Sequence, residues 1–167
     1  MEYHIIKARE EDAEEIFAGI RAAGREKGPM FMYYEDPDCY LSQIREGYSV
    51  VAKTPDGELM AAFTATASTE DTSVYGYISL REDEKPLLFD SVFVKPEYRG
   101  LGLQKSLAEK IMEYAGNSFT DGYTTIHPDN TPSMKNMTRC GFTVLRDDLM
   151  WDIGPRVLLH RSLSMDK

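Results

Sequence analysis

The sequence predicts an α+β fold in which a mixed, mostly antiparallel seven-strand sheet packs against about four helices. Seven short runs are rich in β-branched and aromatic residues, and four longer segments between them carry apolar residues at helical spacing. Glycine, proline and aspartate mark the boundaries between these segments. The length of 167 residues suits one hydrophobic core, so we expect residues 1–167 to form a single domain.

The first half of the chain is predicted to contain three strands and two helices. Proline is tolerated at the first helical position, so the second helix is expected to start at Pro37. Residues 68–86 are polar and irregular, and the sequence does not decide between a helical turn and an extra strand within 74–80. The expected elements are a strand at 3–8, helices at 10–23 and 37–46, and hairpin strands at 48–53 and 58–67.

The second half is predicted to contain four strands and two helices. The run at 87–94 is apolar on both faces and ends before Pro96, so it reads as a buried strand in which the single carboxylate, Asp90, is conspicuous. The following helix begins near Leu101 and has an apolar stripe at three- and four-residue intervals. Further along, we expect a strand at 123–127, a helix at 129–139, and strands at 143–146 and 156–163.

The charge balance argues against a nucleic-acid ligand. The formal net charge is −9 and the isoelectric point is about 4.8, and no run of basic residues could follow a phosphate backbone. An acidic surface favours cationic substrates instead. No apolar run approaches the length of a membrane span, and the first residues do not resemble a secretion signal. We therefore expect no membrane contact and a cytoplasmic location.

The cysteines and histidines indicate neither a disulfide scaffold nor a metal site. Cys39 and Cys140 lie far apart in the sequence and match no Cys-x-x-Cys spacing, which fits a reducing compartment. The three histidines fall on separate predicted strands without the spacing of metal ligands, so no metal is expected.

A glycine-containing turn joins the buried strand to the helix that follows it. Gly100 and Gly102 leave the amides of the first helical turn uncovered, and these amides lie at the positive end of the helix dipole. Such a turn suits an anionic phosphate. Two known phosphate motifs fit poorly, because Lys105-Ser106 follow glutamine rather than glycine and a third glycine is missing. On these residues alone, a plain connecting turn remains equally acceptable.

Two motifs resemble the GNAT superfamily of acetyl-CoA-dependent N-acyltransferases. Residues 92–103 read Val-x-Val-x-Pro-Glu-Tyr-Arg-Gly-x-Gly-Leu, which is similar to the family's Arg/Gln-x-x-Gly-x-Gly/Ala motif, with Gln104 in place of the third small residue. The second motif is Asn-x-x-Ser/Ala-x-x-x-Tyr-x-x-x-Gly-Phe, and Met137 replaces its tyrosine. The residues that match the fixed positions are Arg99 and Gly102 in the first motif and Asn130, Ser133, Gly141 and Phe142 in the second.

The resemblance implies a groove for acetyl-CoA as co-substrate. In the family, the amides of the glycine turn hold the pyrophosphate, and the preceding strand pairs through its backbone with the pantetheine arm. The implied binding residues are Val92, Phe93, Val94, Arg99, Gly100, Leu101, Gly102, Leu103, Gln104, Lys105, Asn130 and Ser133.

The resemblance also suggests the catalytic groups. Asp90 aligns with an acidic residue often found on this strand, and it would accept the proton of the attacking ammonium once burial raises its pKa or a water relays the proton. A backbone amide near Val94 would meet the developing oxyanion. Because Met137 cannot donate a proton, either Tyr33 or Tyr34 substitutes for the missing tyrosine, or the thiolate leaves unprotonated.

The acceptor is expected to be a primary amine of a small molecule that attacks the thioester directly. Aromatic residues would wall its pocket, although packing against the core explains them equally well. Two alternatives remain open: a peptide or protein N-acetyltransferase, and a non-catalytic acyl-CoA-binding module. A homodimer is also left open. The candidate substrate-binding residues are Phe31, Tyr33, Tyr34 and Trp151.

Overall fold

The computed structural model describes residues 1–28 and 36–164 and shows a seven-stranded sheet covered by helices on both faces. Short 3-10 turns precede the first and fourth helices at Glu10–Asp12 and Pro96–Tyr98. The strands are β1 (His4–Lys7), β2 (Val50–Lys53), β3 (Leu59–Thr66), β4 (Pro86–Val94), β5 (Asp121–Ile126), β6 (Thr143–Trp151) and β7 (Gly154–Ser162), and the helices are α1 (Ala13–Lys27), α2 (Pro37–Glu46), α3 (Thr72–Tyr75), α4 (Leu103–Ala115) and α5 (Thr131–Arg139).

The strand order is β1-β2-β3-β4-β5-β7-β6. Strands β4 and β5 form the parallel pair, and each of the other neighbouring pairs is antiparallel. The predicted fold class is therefore confirmed: the sheet is mixed, mostly antiparallel and seven-stranded. The described part of the chain has five helices rather than about four, because the four-residue α3 forms within the segment that the sequence left undecided.

Each face of the sheet is covered by different helices. Helices α1 and α2 pack on one face through buried residues such as Ile16, Ile20 and Tyr40. Helix α4 packs on the other face through Leu103 and its apolar stripe. A third cluster joins α3 to β4, β5, β6 and β7 and contains Val74, Leu88, Tyr123, Leu149 and Leu158. None of the helices in the described ranges is both long enough and apolar enough to span a bilayer.

The largest differences from the expected element boundaries are at the ends of α1 and β6, and the other boundaries differ by no more than three residues. Helix α1 continues to Lys27 because Gly24 is buried within it, and its carbonyl accepts from the amide of Gly28 at 2.9 Å. Strand β6 continues to Trp151 rather than ending at Arg146, since it pairs with β7 along nearly its whole length. It is an edge strand, where polar and charged residues are tolerated.

Candidate active site

A groove of about 730 Å³ opens where β4 and β5 separate. The two strands pair over residues 86–88 and 121–123. Beyond this short ladder, Val92 and Val94 of β4 and Thr124 and Ile126 of β5 line the groove. The N-terminal ends of α4 and α5 form its other end, through Gly102 and neighbouring residues of both helices.

A β-bulge in β4 accompanies this separation. Pairing with β3 changes register between Phe63 and Ala65, so that Thr64 faces both Asp90 and Ser91. The amide of Ser91 donates to the Thr64 hydroxyl oxygen at 3.1 Å, which gives this bulged amide an acceptor. An extra residue in one strand bends that strand and increases its twist. The bulge therefore turns the second half of β4 away from β5.

The bulge also directs two consecutive side chains toward α2. The side-chain amide of Gln43 donates to Asp90 Oδ2 at 2.8 Å, and the hydroxyl groups of Tyr40 and Ser91 lie 3.3 Å apart. Regular strand residues alternate between faces, whereas Asp90 and Ser91 both contact the same helix. The partly exposed Asp90 carboxylate is thus held at the edge of the groove.

Beyond residue 88, the side of the β4 backbone that faces the groove has no strand partner in the described part of the chain. The amide of Lys95 donates to the carbonyl of Met60 at 3.0 Å. Bonded and non-bonded residue pairs alternate along an antiparallel ladder, so the next residue, Val94, lies in a non-bonded pair with Ala61. The amides of Val94 and Val92 therefore point away from β3, toward the side on which β5 has separated.

The glycine turn leaves open space at the start of α4. Gly100 and Gly102 have φ values of 88° and 72°, a backbone conformation that side chains disfavour, and Gly102 is the N-cap of the helix. A Cβ atom built on either glycine would meet no heavy atom within 4 Å. The first amides of a helix have no acceptor within it and carry partial positive charge. The turn therefore fits an anionic group.

Arg99 attaches this turn to the end of α1. Its Nη1 and Nη2 atoms lie 2.7 and 2.8 Å from the two carboxylate oxygens of Glu26. This bidentate hydrogen bond raises the pKa of Arg99 and, acting on the other partner, lowers the pKa of Glu26. The pair is substantially exposed to solvent, so its main effect is to fix the position of the turn.

Gln104, which departs from the family motif, connects α4 with α5. Its Nε2 donates to Ser133 Oγ at 2.8 Å, and its Oε1 accepts from Asn136 Nδ2 at 3.2 Å. Asn130 caps α5 by accepting from the amide of Ser133 at 3.5 Å. The larger side chain thus extends sideways between the two helices and holds together the two walls of the groove.

At the opposite end, Trp151 and Arg156 line the groove beyond Asp90. Trp151 Nε1 donates to the carbonyl of Ser73 at 3.0 Å, which attaches the β6–β7 hairpin to α3. The Arg156 guanidinium lies over the Trp151 ring, 4.8 Å from its centroid. Burial lowers the pKa of Arg156 to about 10. A guanidinium nevertheless remains charged at neutral pH.

Most of the predicted site residues come together in this groove. Leu101 is 39% exposed on the outside of the turn, and the ammonium of Lys105 pairs with Glu109. Phe31, Tyr33 and Tyr34 lie outside the described residues. The predicted residues that line the groove are Asp90, Val92, Phe93, Val94, Arg99, Gly100, Gly102, Leu103, Gln104, Asn130, Ser133 and Trp151.

Sequence reasoning missed Gln43 and Arg156. Nothing near Gln43 in the sequence indicates that it contacts Asp90. Arg156, in contrast, is the third residue of β7 and directly precedes three apolar residues, and a charge beside a buried apolar run is a detectable signal. Met137, at the position of the family tyrosine, is fully buried in the core beneath α5. Across 1–28 and 36–164, no His, Cys, Asp and Glu side chains group as a set of three able to hold a metal ion.

The family model described as Acetyltransferase (GNAT) family matches residues 11–142, and the chain therefore belongs to this family of acetyltransferases. No curated protein sequence matches the chain significantly.

Solved structures share the fold at low sequence identity. The Salmonella typhimurium protein yncA, solved with its cofactor acetyl-CoA, is 17% identical with a TM-score of 0.74, over 100% of this chain and 97% of that one. An N-acetyltransferase from Staphylococcus aureus Mu50 is 16% identical with a TM-score of 0.74, over 98% and 100% of the two chains. A chain of the NatC complex, bound to Gag peptide and CoA, is 15% identical with a TM-score of 0.74 and the same coverage.

Proposed function

We propose that this acetyltransferase moves the acetyl group of acetyl-CoA to a primary amine of a small molecule by direct attack. The observation that carries the proposal is the continuity of the groove. It extends from the glycine turn, along the unpaired edge of β4, to the Asp90 carboxylate. A site suited to a phosphate, a strand edge that can pair with an extended ligand, and a proton acceptor thus follow one another along one groove.

The first part of the groove has the properties required to hold coenzyme A. Open space above Gly100 and Gly102 lets a pyrophosphate approach the helical amides closely. The outward-pointing backbone groups of Val92 and Val94 can pair with the amides of the pantetheine arm as a neighbouring strand would. The structural neighbour yncA contains acetyl-CoA in the same overall fold, which supports this assignment.

The chemistry requires one bond to form and one to break. The nitrogen of the neutral amine attacks the thioester carbonyl carbon, a C–N bond forms, and the C–S bond breaks to release the CoA thiolate. Asp90 accepts the ammonium proton before the attack, directly or through one water, and passes it to solvent. The nitrogen loses its second proton to water as the C–S bond breaks, which leaves the neutral amide. The amide of Val94 donates a hydrogen bond to the carbonyl oxygen as negative charge develops there. With methionine at position 137, the thiolate leaves without a proton from this residue.

The contacts at the Asp90 end of the groove favour a small acceptor. Asp90 is flanked by α2, through Gln43, and Trp151 is fixed against α3 by its hydrogen bond to Ser73. These contacts limit the width available to an acceptor beyond the thioester. The NatC neighbour shows that the same overall fold occurs in a complex that binds a peptide, so peptide acceptors belong in the test.

The test is thiol release from acetyl-CoA in the presence of polyamines, free amino acids, aminoglycosides and peptides. We expect thiol release together with an acetylated small amine identified by mass spectrometry. Release with peptides alone would make the enzyme a peptide acetyltransferase. Tight binding of acetyl-CoA without release in any reaction would support a non-catalytic module, and would contradict the proposal.

A further inference from the structure

Arg156 is a buried cation that has no anionic partner within 1–28 and 36–164. The residue is 3% exposed, and its Nε atom is inaccessible to solvent and has no hydrogen-bond acceptor among the residues that the structure describes. Burial lowers its pKa, and no carboxylate among the described residues forms an ion pair with it. The guanidinium makes a cation–π contact with the ring of Trp151.

Several more exposed arginines of the chain are paired with carboxylates. Arg45, Arg81, Arg99 and Arg146 have partly exposed side chains, and each contacts an aspartate or glutamate. Buried charges in proteins are normally paired, since an uncompensated one costs several kcal/mol. A guanidinium that is buried, uncompensated and part of a groove wall is therefore suited to an anion that arrives with a ligand.

Sheet geometry places Arg156 on the same face as Asp90. Leu88 and Leu158 pack in one cluster, so they project from the same face of the sheet. Asp90 lies two residues beyond Leu88, and Arg156 lies two residues before Leu158, which preserves the face in both strands. Because β4 runs parallel to β5 and β5 runs antiparallel to β7, both steps lead in the same direction, toward the groove.

We propose that Arg156 binds a carboxylate of the acceptor, so that the acceptor is an amine that also carries a carboxylate, as a free amino acid does. This inference rests on the proposed function for the amine end of the molecule. The ammonium would face Asp90 and the carboxylate would face the guanidinium, whose planar donors suit a carboxylate in a bidentate arrangement. An acceptor amine without a carboxylate would leave Arg156 buried and unpaired, so the site discriminates against such an acceptor.

The kinetic test compares matched acceptors. Thiol release is measured for each free amino acid, for its carboxamide and for its decarboxylated amine. Aminophosphonate analogues are included to test whether another oxyanion can replace the carboxylate. We expect kcat/KM to be at least about tenfold higher for the acids than for the amides. In Arg156→Met the preference should fall to near one, mainly through KM, while turnover of neutral amines persists. Arg156→Lys keeps the positive charge but lacks the planar pair of guanidinium donors, so it should retain part of the preference for acids.

Arg146→Met is the matched control, because it removes a surface guanidinium of β6, the strand beside β7, and this guanidinium is paired with Asp148 of the same strand. It should keep the wild-type preference for acids. The proposal is overturned when wild-type enzyme uses amides as well as acids, or when Arg156→Met keeps the preference. Faster turnover of aminophosphonates than of amino acids would also overturn the assignment to a carboxylate.

A binding measurement separates this inference from the proposed function. N-acetylated free amino acids and their amides are added to wild-type protein and Arg156→Met, and the melting temperature is recorded. Stabilisation of wild type by the acids alone supports the carboxylate subsite even when no amine is acetylated, whereas equal shifts in both proteins refute it. Arg156→Met without ligand should melt at the wild-type temperature or above, because no native ion pair is lost. A lower melting temperature would assign Arg156 a structural role instead.

Discussion

Asp90 has a defined orientation in the groove. It lies at the bulge of β4, and the side-chain amide of Gln43 donates to one of its carboxylate oxygens at 2.8 Å. A base acts efficiently when its oxygen is held within reach of the proton that it accepts. The hydrogen bond from Gln43 of α2 holds the Asp90 carboxylate in such a fixed position.

Replacement of Asp90 by asparagine should lower kcat roughly 100-fold at neutral pH, since positioned bases contribute about 10²–10⁴-fold to a rate. Activity should recover partly at alkaline pH, where the amine loses its proton to solvent without help from the enzyme. Asp38→Asn, an exposed change on α2, is the control and should behave as wild type. Full activity of Asp90→Asn at every pH would show that Asp90 is not the base.

The two nonconforming motif residues have different roles in the structure. Met137 is a core residue with no solvent exposure, and the family tyrosine has no equivalent at this position. Gln104 instead connects Ser133 and Asn136 of α5 to α4. Both departures from the family motif are visible in the sequence. Which of the two side chains reaches the groove depends on contacts between residues of α4 and α5 that are 29 to 32 positions apart in the chain.

The proposed anion site at the start of α4 depends on the conformation of the N-cap of this helix. Gly102 adopts a left-handed conformation, and the space above it is open. Asparagine and aspartate tolerate this conformation better than other side chains do. The two substitutions have nearly the same shape, so a comparison between them isolates the effect of charge from that of backbone strain.

We therefore expect Gly102→Asp to bind acetyl-CoA about tenfold more weakly than Gly102→Asn does, because its carboxylate would repel a pyrophosphate at the helix N-terminus. Isothermal titration calorimetry of both variants measures this difference, and increasing salt should reduce it. Equal affinities would place the pyrophosphate elsewhere.

The elements differ in how completely the sequence specifies them. The prediction of α2 at 37–46 is confirmed residue for residue, because Pro37 begins the helix and Gly47, with a φ of 90°, ends it. Strand β6 was predicted too short, since its polar residues resemble a loop and only pairing with β7 makes them a strand. The glycine turn was recognised from local spacing. The contact between Gln43 and Asp90 was not, because it joins residues 47 positions apart.

At the scale of the whole molecule, the sheet ends in β6, whose outer edge is unpaired within the described chain. Val144, Leu145 and Met150 on this strand are between 47% and 65% exposed. Exposed apolar residues on an edge strand favour association with another strand. The homodimer left open by the sequence would therefore use this edge. Cytoplasmic location and the absence of nucleic-acid partners also remain predictions.

We expect wild-type protein to form a dimer and the double variant Val144→Lys/Met150→Lys to be monomeric, because lysines on an edge strand oppose further pairing. Light scattering coupled to size-exclusion chromatography measures both. A matched variant that introduces two lysines at exposed positions of α1, Ala18→Lys/Ala22→Lys, should leave the measured mass of the dimer unchanged. A monomeric wild type, or a double variant that remains dimeric, would exclude this interface.

The bulge at Asp90 and Ser91 shows that the groove depends on the number of residues in one strand. Opposite Thr64, β4 has two residues where a regular ladder has one. If β4 were shorter by this residue, it could continue straight beside β5. The same seven strands would then form a continuous sheet without a cleft. An insertion or deletion at this point in β4 would therefore change the shape of the groove. The length of this segment is therefore as informative about activity as the identity of its residues.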